Sequence, residues 1–255
     1  MAKHCISRMD DSKKERLAKV MARAGLCSRR DAELWIKDGR VKLNGAVWRD
    51  PAMNVSEEDV ILVDGRPLPK TESTRLWLLH KPVGTVTTAS DPQGRPTVFS
   101  LLSKSMPRVI SIGRLDLNSE GLLLLTNDGS FARTLELPKT ALPRRYRVRT
   151  YGRFDPRDLR ELKRGITVDG IFYDSIDAVQ ENPNDTTLNQ WLVVTLHEGK
   201  NREIRNVMRA LGLQVNRLIR VAYGPFELGA LEPGKISEVS QAVIQSFKQK
   251  LGEER

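Results

Sequence analysis

Residues 113–129 read GRLDLNSEGLLLLTNDG. The first half puts Asp116, Asn118 and Glu120 on alternate positions ahead of Gly121; the second half is four leucines and Thr126. Alternating carboxylates open like a calcium loop, but an EF-hand needs a bidentate Glu at its twelfth position and a helix on each side. Counted from Asp116, the twelfth residue is Asn127 and the ninth is Leu124. PRVISIG ahead of the stretch is β-branched, and LLLLT reads as a buried strand, so the calcium reading fails. The simplest alternative is a turn between two strands, with Asp116 bonding local backbone amides. Spacing alone favours the turn over a carboxylate reserved for chemistry.

Working outward, apolar runs predict strands at 75–79, 108–112, 121–126, 144–150, 191–196 and 215–222. Helical periodicity predicts helices near 156–164, 201–211 and 238–250, and residues 165–190 read as a strand pair with an exposed loop. Strands and helices do not alternate strictly, so the class is α+β with a mixed, largely antiparallel sheet. Upstream, ERLAKVMARAGL (15–26) has the spacing of an amphipathic helix stopped by Gly25. SRRDAELWIKDG (28–39) follows as a second helix, with Ser28 and Asp31 in capping-box positions and Gly39 at its end. Asn44-Gly45 is a tight-turn signal inside RVKLNGAVW, and EEDVILVDGRPL adds a further strand and turn. PKTESTR (69–75) is polar and reads as a linker. Two domains are expected, at 14–70 and 75–247.

The 255 residues carry a net charge of +10. Residues 1–45 hold twelve Lys/Arg against six Asp/Glu, and 101–150 hold nine against four. Clustered basic charge of this kind points to a polyanionic partner, nucleic acid foremost. No run approaches 18 apolar residues, and MAKHCISRMDDSKKER lacks the apolar centre of a signal peptide. Cys5 and Cys27 have no paired spacing, and three histidines make no zinc pattern. These features predict a cytoplasmic protein without membrane or metal.

RLAKVMARAGLCSRRDAELWIKDGRVKLNG resembles the S4 RNA-binding domain. That resemblance implies basic side chains presented to structured RNA, carried here onto Arg16, Lys19, Arg29, Arg30 and Lys37. They would grip phosphate and A-form shape rather than read sequence. GRLDLNSEGLLLLTNDG is similar to the catalytic motif of pseudouridine synthases, specifically the RsuA/RluB group that modifies bacterial ribosomal RNA. LHKPVGTVTTASDPQGRPTV resembles the opening motif of that group, RRYRVR its tyrosine motif, and EGKNREIRNVMRALGLQVNRLIRVAYG its closing helix and strand. The motifs occur in family order behind an S4 unit.

The resemblance implies a site-specific conversion of uridine to pseudouridine in ribosomal RNA. The glycosidic bond from N1 is broken, the base turned and rejoined through C5, with no redox or phosphoryl step and hence no cofactor or metal. Asp116 takes the catalytic role, as nucleophile or by deprotonating the sugar. Arg205 is expected to pair with Asp116, while Ile204 packs against Tyr146. Tyr146 is expected to stack on the uracil and to help remove the C5 proton. Lys200 and Arg202 are expected on phosphates, Arg114 and Lys81 near the pocket on RNA, and His80 as strand-end packing. The target leans to large-subunit (23S) RNA, bound by a monomer, free or in pre-ribosomal particles. The competing reading is a non-catalytic RNA-binding or ribosome-assembly factor on the same fold. A methyltransferase would need a cofactor loop after an early strand, and the glycines of HKPVG and GRLD lie in the wrong context.

Overall fold

A computed structural model describes residues 14–253, which form two compact units meeting between Ser73 and Thr74. His4, Cys5 and the start of the chain lie outside the described residues. The first unit begins with β1 (Glu15–Arg16), α1 (Leu17–Arg23) and α2 (Arg29–Lys37). Ser28 and Asp31 form the expected capping box, and Gly25 ends the first helical segment with a φ of 83°. β2 (Val41–Leu43) and β3 (Ala46–Trp48) form a hairpin, followed by β4 (Asn54–Val55), β5 (Ile61–Val63) and β6 (Arg66–Pro67). Asn44-Gly45 and Asp64-Gly65 both turn with positive φ at each residue, the backbone twist that joins tight hairpins. Leu17, Met21, Ala32, Ile36, Val41 and Val63 share one small core. The apolar stripes of both helices therefore close onto the hairpins, leaving the opposite, basic faces outward.

The second unit is built on one mixed sheet. Its strands are β7 (Leu76–Lys81), β8 (Ile110–Ile112), β9 (Glu120–Thr126) and β10 (Arg144–Tyr151). A hairpin of β11 (Ile166–Val168) and β12 (Ile171–Tyr173) stands apart from it. β13 (Ile176–Gln180), β14 (Asn189–Leu196), β15 (Gln214–Tyr223), β16 (Phe226–Glu227) and β17 (Ile236–Glu238) complete the sheet. The order runs β13-β14-β10-β15-β9-β7-β17, with β8 on β9 and β16 on β15. Every pairing is antiparallel except β9 with β15. The helices are α3 (Gly129–Glu136), α4 (Pro156–Glu161), α5 (Glu203–Ala210) and α6 (Gln241–Glu253). Among the described residues no helix is long and apolar enough to cross a membrane.

The leucine run is explained by burial on both faces. Leu122 and Leu124 pack with Phe131 of α3 and Ile244 and Phe247 of α6. Leu123 and Leu125 face the other way, into a core shared with Tyr146, Leu159 of α4, and Ile204, Val207 and Met208 of α5. A strand covered on both faces loses the polar alternation of an exposed one. Two elements differ from expectation. Residues 129–136 form a helix capped by Asp128, which accepts from the amides of Ser130 and Phe131. Residues 176–180 are an edge strand of the main sheet rather than part of a peripheral strand pair.

Candidate active site

Strand β9 starts where its outer neighbour changes. Its C-terminal half pairs with β8, but at Glu120 and Gly121 the partner is β15, running parallel. The connection from β8 to β9 therefore arches over the sheet at the point where β15 comes alongside. Asp116 lies in that arch. Its backbone carbonyl accepts from the Ser119 amide at 3.0 Å, so the main chain makes the turn. Among the described residues its carboxylate is not spent on local amides, contrary to the turn expectation, and its ion-pair partner is Arg202, at 3.6 Å. The alternating pattern is not a ligand set either, since Glu120 is buried and forms a two-pronged ion pair with Arg217.

The arch forms one wall of an open cleft of about 970 Å³. Loop residues 86–95 line a second side, and Tyr146 of β10 with Leu218, Arg220 and Tyr223 of β15 line the floor. The start of α5, with Lys200, Arg202, Ile204 and Arg205, closes the rim. Asp116, Tyr146, Ile204 and Arg205, far apart in sequence, thus share one cavity. Tyr146 is 8 % exposed and Ile204 5 %, and both belong to the core beneath the cleft. Arg114 is exposed and also lines it.

Two expected contacts are corrected. The ion pair on Asp116 comes from Arg202, not Arg205. Arg202 sits just ahead of α5 with a left-handed backbone, φ 50°. One turn deeper, Arg205 donates to the carbonyls of Asn118 at 2.8 Å and Val215 at 3.1 Å. It therefore ties the Asp116 arch to β15 through the backbone. Burial and the nearby Arg202 lower its pKa, and Asp116 opposes that shift, so the carboxylate acts on Arg205 through space. Lys81 is the second correction: it is fully buried and cannot reach RNA. It ends β7 opposite Gly121, and its ammonium donates to the carbonyls of Ser119 at 2.7 Å and Pro82 at 3.0 Å. Lys81 is an internal clamp on the arch.

Burial lowers the Lys81 pKa to about 8, against the opposing pull of Asp116 and Glu120. The unfolded chain holds that proton more tightly than the fold. This residue alone therefore makes the protein more stable as pH rises from about 8 towards 10.5. The charged form is disfavoured by folding, yet it is the form present at neutral pH beneath Asp116. We expect turnover to decline as pH passes about 8. In Lys81→Met turnover should be lower at neutral pH but flat between pH 7 and 9. A wild-type limb near pH 8 that persists unchanged in Lys81→Met would assign it elsewhere.

Other sequence-predicted residues are placed as follows. The Lys200 ammonium is engaged by Glu198 at 2.6 Å and by the Phe172 carbonyl at 2.8 Å, so it is not a free phosphate ligand. His80 is buried and bonds the Leu231 carbonyl through Nδ1, the packing role expected of it. In the first unit Arg16, Arg29, Arg30 and Lys37 are exposed, while Lys19 is paired with Glu15. Sequence reasoning missed Glu203, Arg220 and Tyr223. Glu203 is buried at the head of α5, where it accepts from the Lys200 amide; burial and then Glu198 raise its pKa to about 7. Arg220 and Arg144 lie over the Tyr223 ring at 5.3 and 4.7 Å.

A cleft lined by several arginines, with the half-exposed Asp116 carboxylate beside a buried tyrosine, suits chemistry on a polyanion. Comparison with known proteins agrees. Residues 75–210 match the model of the RNA pseudouridylate synthase family, and residues 15–61 match the S4 domain. An uncharacterized RNA pseudouridine synthase of Rickettsia bellii is 50 % identical over 91 % of this chain and 99 % of its own. The ribosomal large subunit pseudouridine synthase B of Pseudomonas aeruginosa is 38 % identical over 93 % of this chain and 63 % of its own. A crystal structure of a pseudouridylate synthase matches with a TM-score of 0.64 at 27 % identity, over 90 % of this chain and 98 % of that one. With the motifs in order on a fold that gathers them into one cavity, the chain belongs to the RNA pseudouridylate synthase family.

Proposed function

We propose that this enzyme isomerises a uridine of large-subunit ribosomal RNA, with Asp116 acting on the ribose and Tyr146 on the base. One observation carries the reading: among the described residues the Asp116 carboxylate accepts no hydrogen bond, and it lines a cleft with Arg114, Arg202, Arg205 and Arg220. A carboxylate at such a turn usually satisfies backbone amides. Here it is left for a ligand, with Arg205 and Lys81 holding the carbonyls of Asn118 and Ser119, two and three residues after it.

A uridine in folded RNA cannot meet a side chain inside its stack. Extruding it costs a few kcal/mol, offset by phosphate contacts along the basic rim. Arg114 and Arg202, which line the cleft, would make those contacts. Tyr146 presents a buried ring for the base, and Ile204 packs in the core beneath it. Cleavage leaves the electron pair of the C1′–N1 bond on the base. Rejoining through C5 releases the C5 proton, which the Tyr146 hydroxyl helps to move, while N1 gains a proton in exchange, and the sum is an isomerisation needing no external reductant or metal. The S4 unit supplies a second, sequence-indifferent grip through Arg16, Arg29, Arg30 and Lys37, with Lys19 held back by Glu15. The working form is a cytoplasmic monomer acting on ribosomal RNA, free or within pre-ribosomal particles. The relative named for the ribosomal large subunit supports the choice of RNA.

The test is purified protein with 23S and 16S transcripts in EDTA, pseudouridine being mapped by carbodiimide-blocked primer extension. New pseudouridine confined to the 23S transcript is expected. Modification of 16S alone would reverse the subunit assignment, and tight binding of both without modification would favour a non-catalytic RNA-binding factor.

A further inference from the structure

Arg220 is the buried cation that the reading above leaves without a task. It is 2 % exposed, lines the cleft, and stands directly across from Tyr146 in the β10–β15 pairing. Nε is fixed on the Leu122 carbonyl at 2.7 Å, and the guanidinium lies against the Tyr223 ring. Nη2 is buried and meets no acceptor among the described residues. A guanidinium removed from water normally spends its donors, because each unspent buried donor is destabilising. Arg217, by contrast, is committed to Glu120, and Arg205, whose buried Nε is likewise unmet, spends both Nη atoms on backbone carbonyls. Among the described residues Arg220 has no carboxylate within ion-pair range, yet it is close enough to Lys81 to lower that residue's pKa. The floor of the cleft thus holds fixed, uncompensated positive charge.

We infer that Arg220 is a leaving-group residue: its guanidinium stabilises the uracil as it departs with negative charge on its ring oxygens. This rests on the isomerase reading. Whether Asp116 bonds C1′ or takes the C2′ proton, the electron pair of the C1′–N1 bond goes to N1 and spreads onto O2 and O4. In the intact nucleoside the uracil is neutral, so the guanidinium interacts more strongly with the cleaved base than with the bound substrate. Interactions that strengthen as charge develops are the ones that raise turnover. The same attraction would hold the detached base on the cleft floor while it turns C5 towards the sugar. Nε anchored on β9 and the ring of Tyr223 below fix the guanidinium in advance.

The experiment compares two RNA substrates carrying uridine or 5-fluorouridine at the target position. Fluorine withdraws electrons, so the fluorinated base leaves more readily and needs less help. Single-turnover loss of each nucleoside is read from nuclease digests for wild type, Arg220→Met and Arg220→Lys, with melting curves for all three. Loss of one preorganised stabilising group costs roughly 10²-fold. We therefore expect Arg220→Met to slow the uridine substrate by about 10²-fold and the fluorinated one by clearly less. Arg220→Lys, which keeps the charge, should lie between in both. Equal slowing on the two substrates, in either variant that folds, would overturn the inference and leave Arg220 a structural residue. Asp116→Asn run in parallel separates the two claims. If that variant still cleaves, the isomerase assignment of Asp116 fails; if it is inert while the Arg220 variants show no leaving-group dependence, only this inference fails.

Discussion

Asp116→Asn is expected to abolish pseudouridine formation, by about 10³-fold or more in single-turnover rate, while the fold and RNA affinity persist. The amide keeps the size and hydrogen-bonding reach of the carboxylate but can neither bond to the ribose as an anion nor take a proton. Little of the fold depends on the charge. Among the described residues the carboxylate accepts no hydrogen bond, and its pairing with Arg202 at 3.6 Å is half-exposed. An ion pair of that kind contributes about 0–1 kcal/mol, so the melting temperature should move by only a few degrees at most. Removing an anion from a cationic cleft also takes away a repulsion against phosphate, so affinity should hold or rise slightly. Binding is checked by filter retention at fixed salt and turnover by primer extension. A variant that binds and converts uridine at the wild-type rate would show that Asp116 is only the turn residue its spacing first suggested.

What the sequence disclosed follows from how local each signal is. The capping box at Ser28 and the turn at Asn44-Gly45 involve neighbours a few residues apart, and both are found where the pattern put them. The buried strand LLLLT was legible because a strand covered on both faces must be apolar throughout. Helix α3 was not legible in the same stretch. It begins with Gly129, a weak helix former, directly after a strand, and its signal is Asp128 followed by Phe131, Ala132 and Leu135 at helical spacing. Within the site, the resemblance named Asp116, Tyr146 and Arg205, and the fold brings all three to one cleft. Partners are another matter. Arg202 and Arg205 are three residues apart, and which one faces Asp116 depends on the left-handed backbone of Arg202 at the head of α5. Lys81 looked like an exposed base beside proline, because nothing in its neighbourhood reveals that the start of β9 will lie alongside it. Arg220 reads as one more cation of a basic chain until the sheet sets it across from Tyr146.

Gly121→Ala should be the most damaging small substitution in the second unit. Gly121 closes the arch that carries Asp116 and is the residue opposite Arg220 where β9 and β15 run parallel. Its φ is 106°, a region side chains rarely enter, and an added Cβ would lie 2.3 Å from the Arg220 carbonyl oxygen and 2.6 Å from its nitrogen. Both obstacles are backbone, so neither can swing aside as a long side chain would. The backbone strain alone costs about 1–3 kcal/mol, and relieving the overlap means separating two central strands. A total loss near 4 kcal/mol is expected, about 8–16 °C in melting temperature for a unit of this size. Gly113→Ala is the matched control. It also has a positive φ, at 67°, but an added Cβ there meets nothing within 4 Å, so only the strain of the backbone remains. The two variants should differ in catalysis as well. Prising β9 from β15 displaces Asp116 relative to Tyr146 and Arg220, and a shift of about 1 Å between such groups can cost roughly 10²-fold in rate. Gly121→Ala should therefore be slow even well below its own melting temperature, where Gly113→Ala is folded and nearly normal. Equal melting temperatures and rates for the two would mean that the sheet yields at this contact, and that the close approach of β15 does not set the position of Asp116.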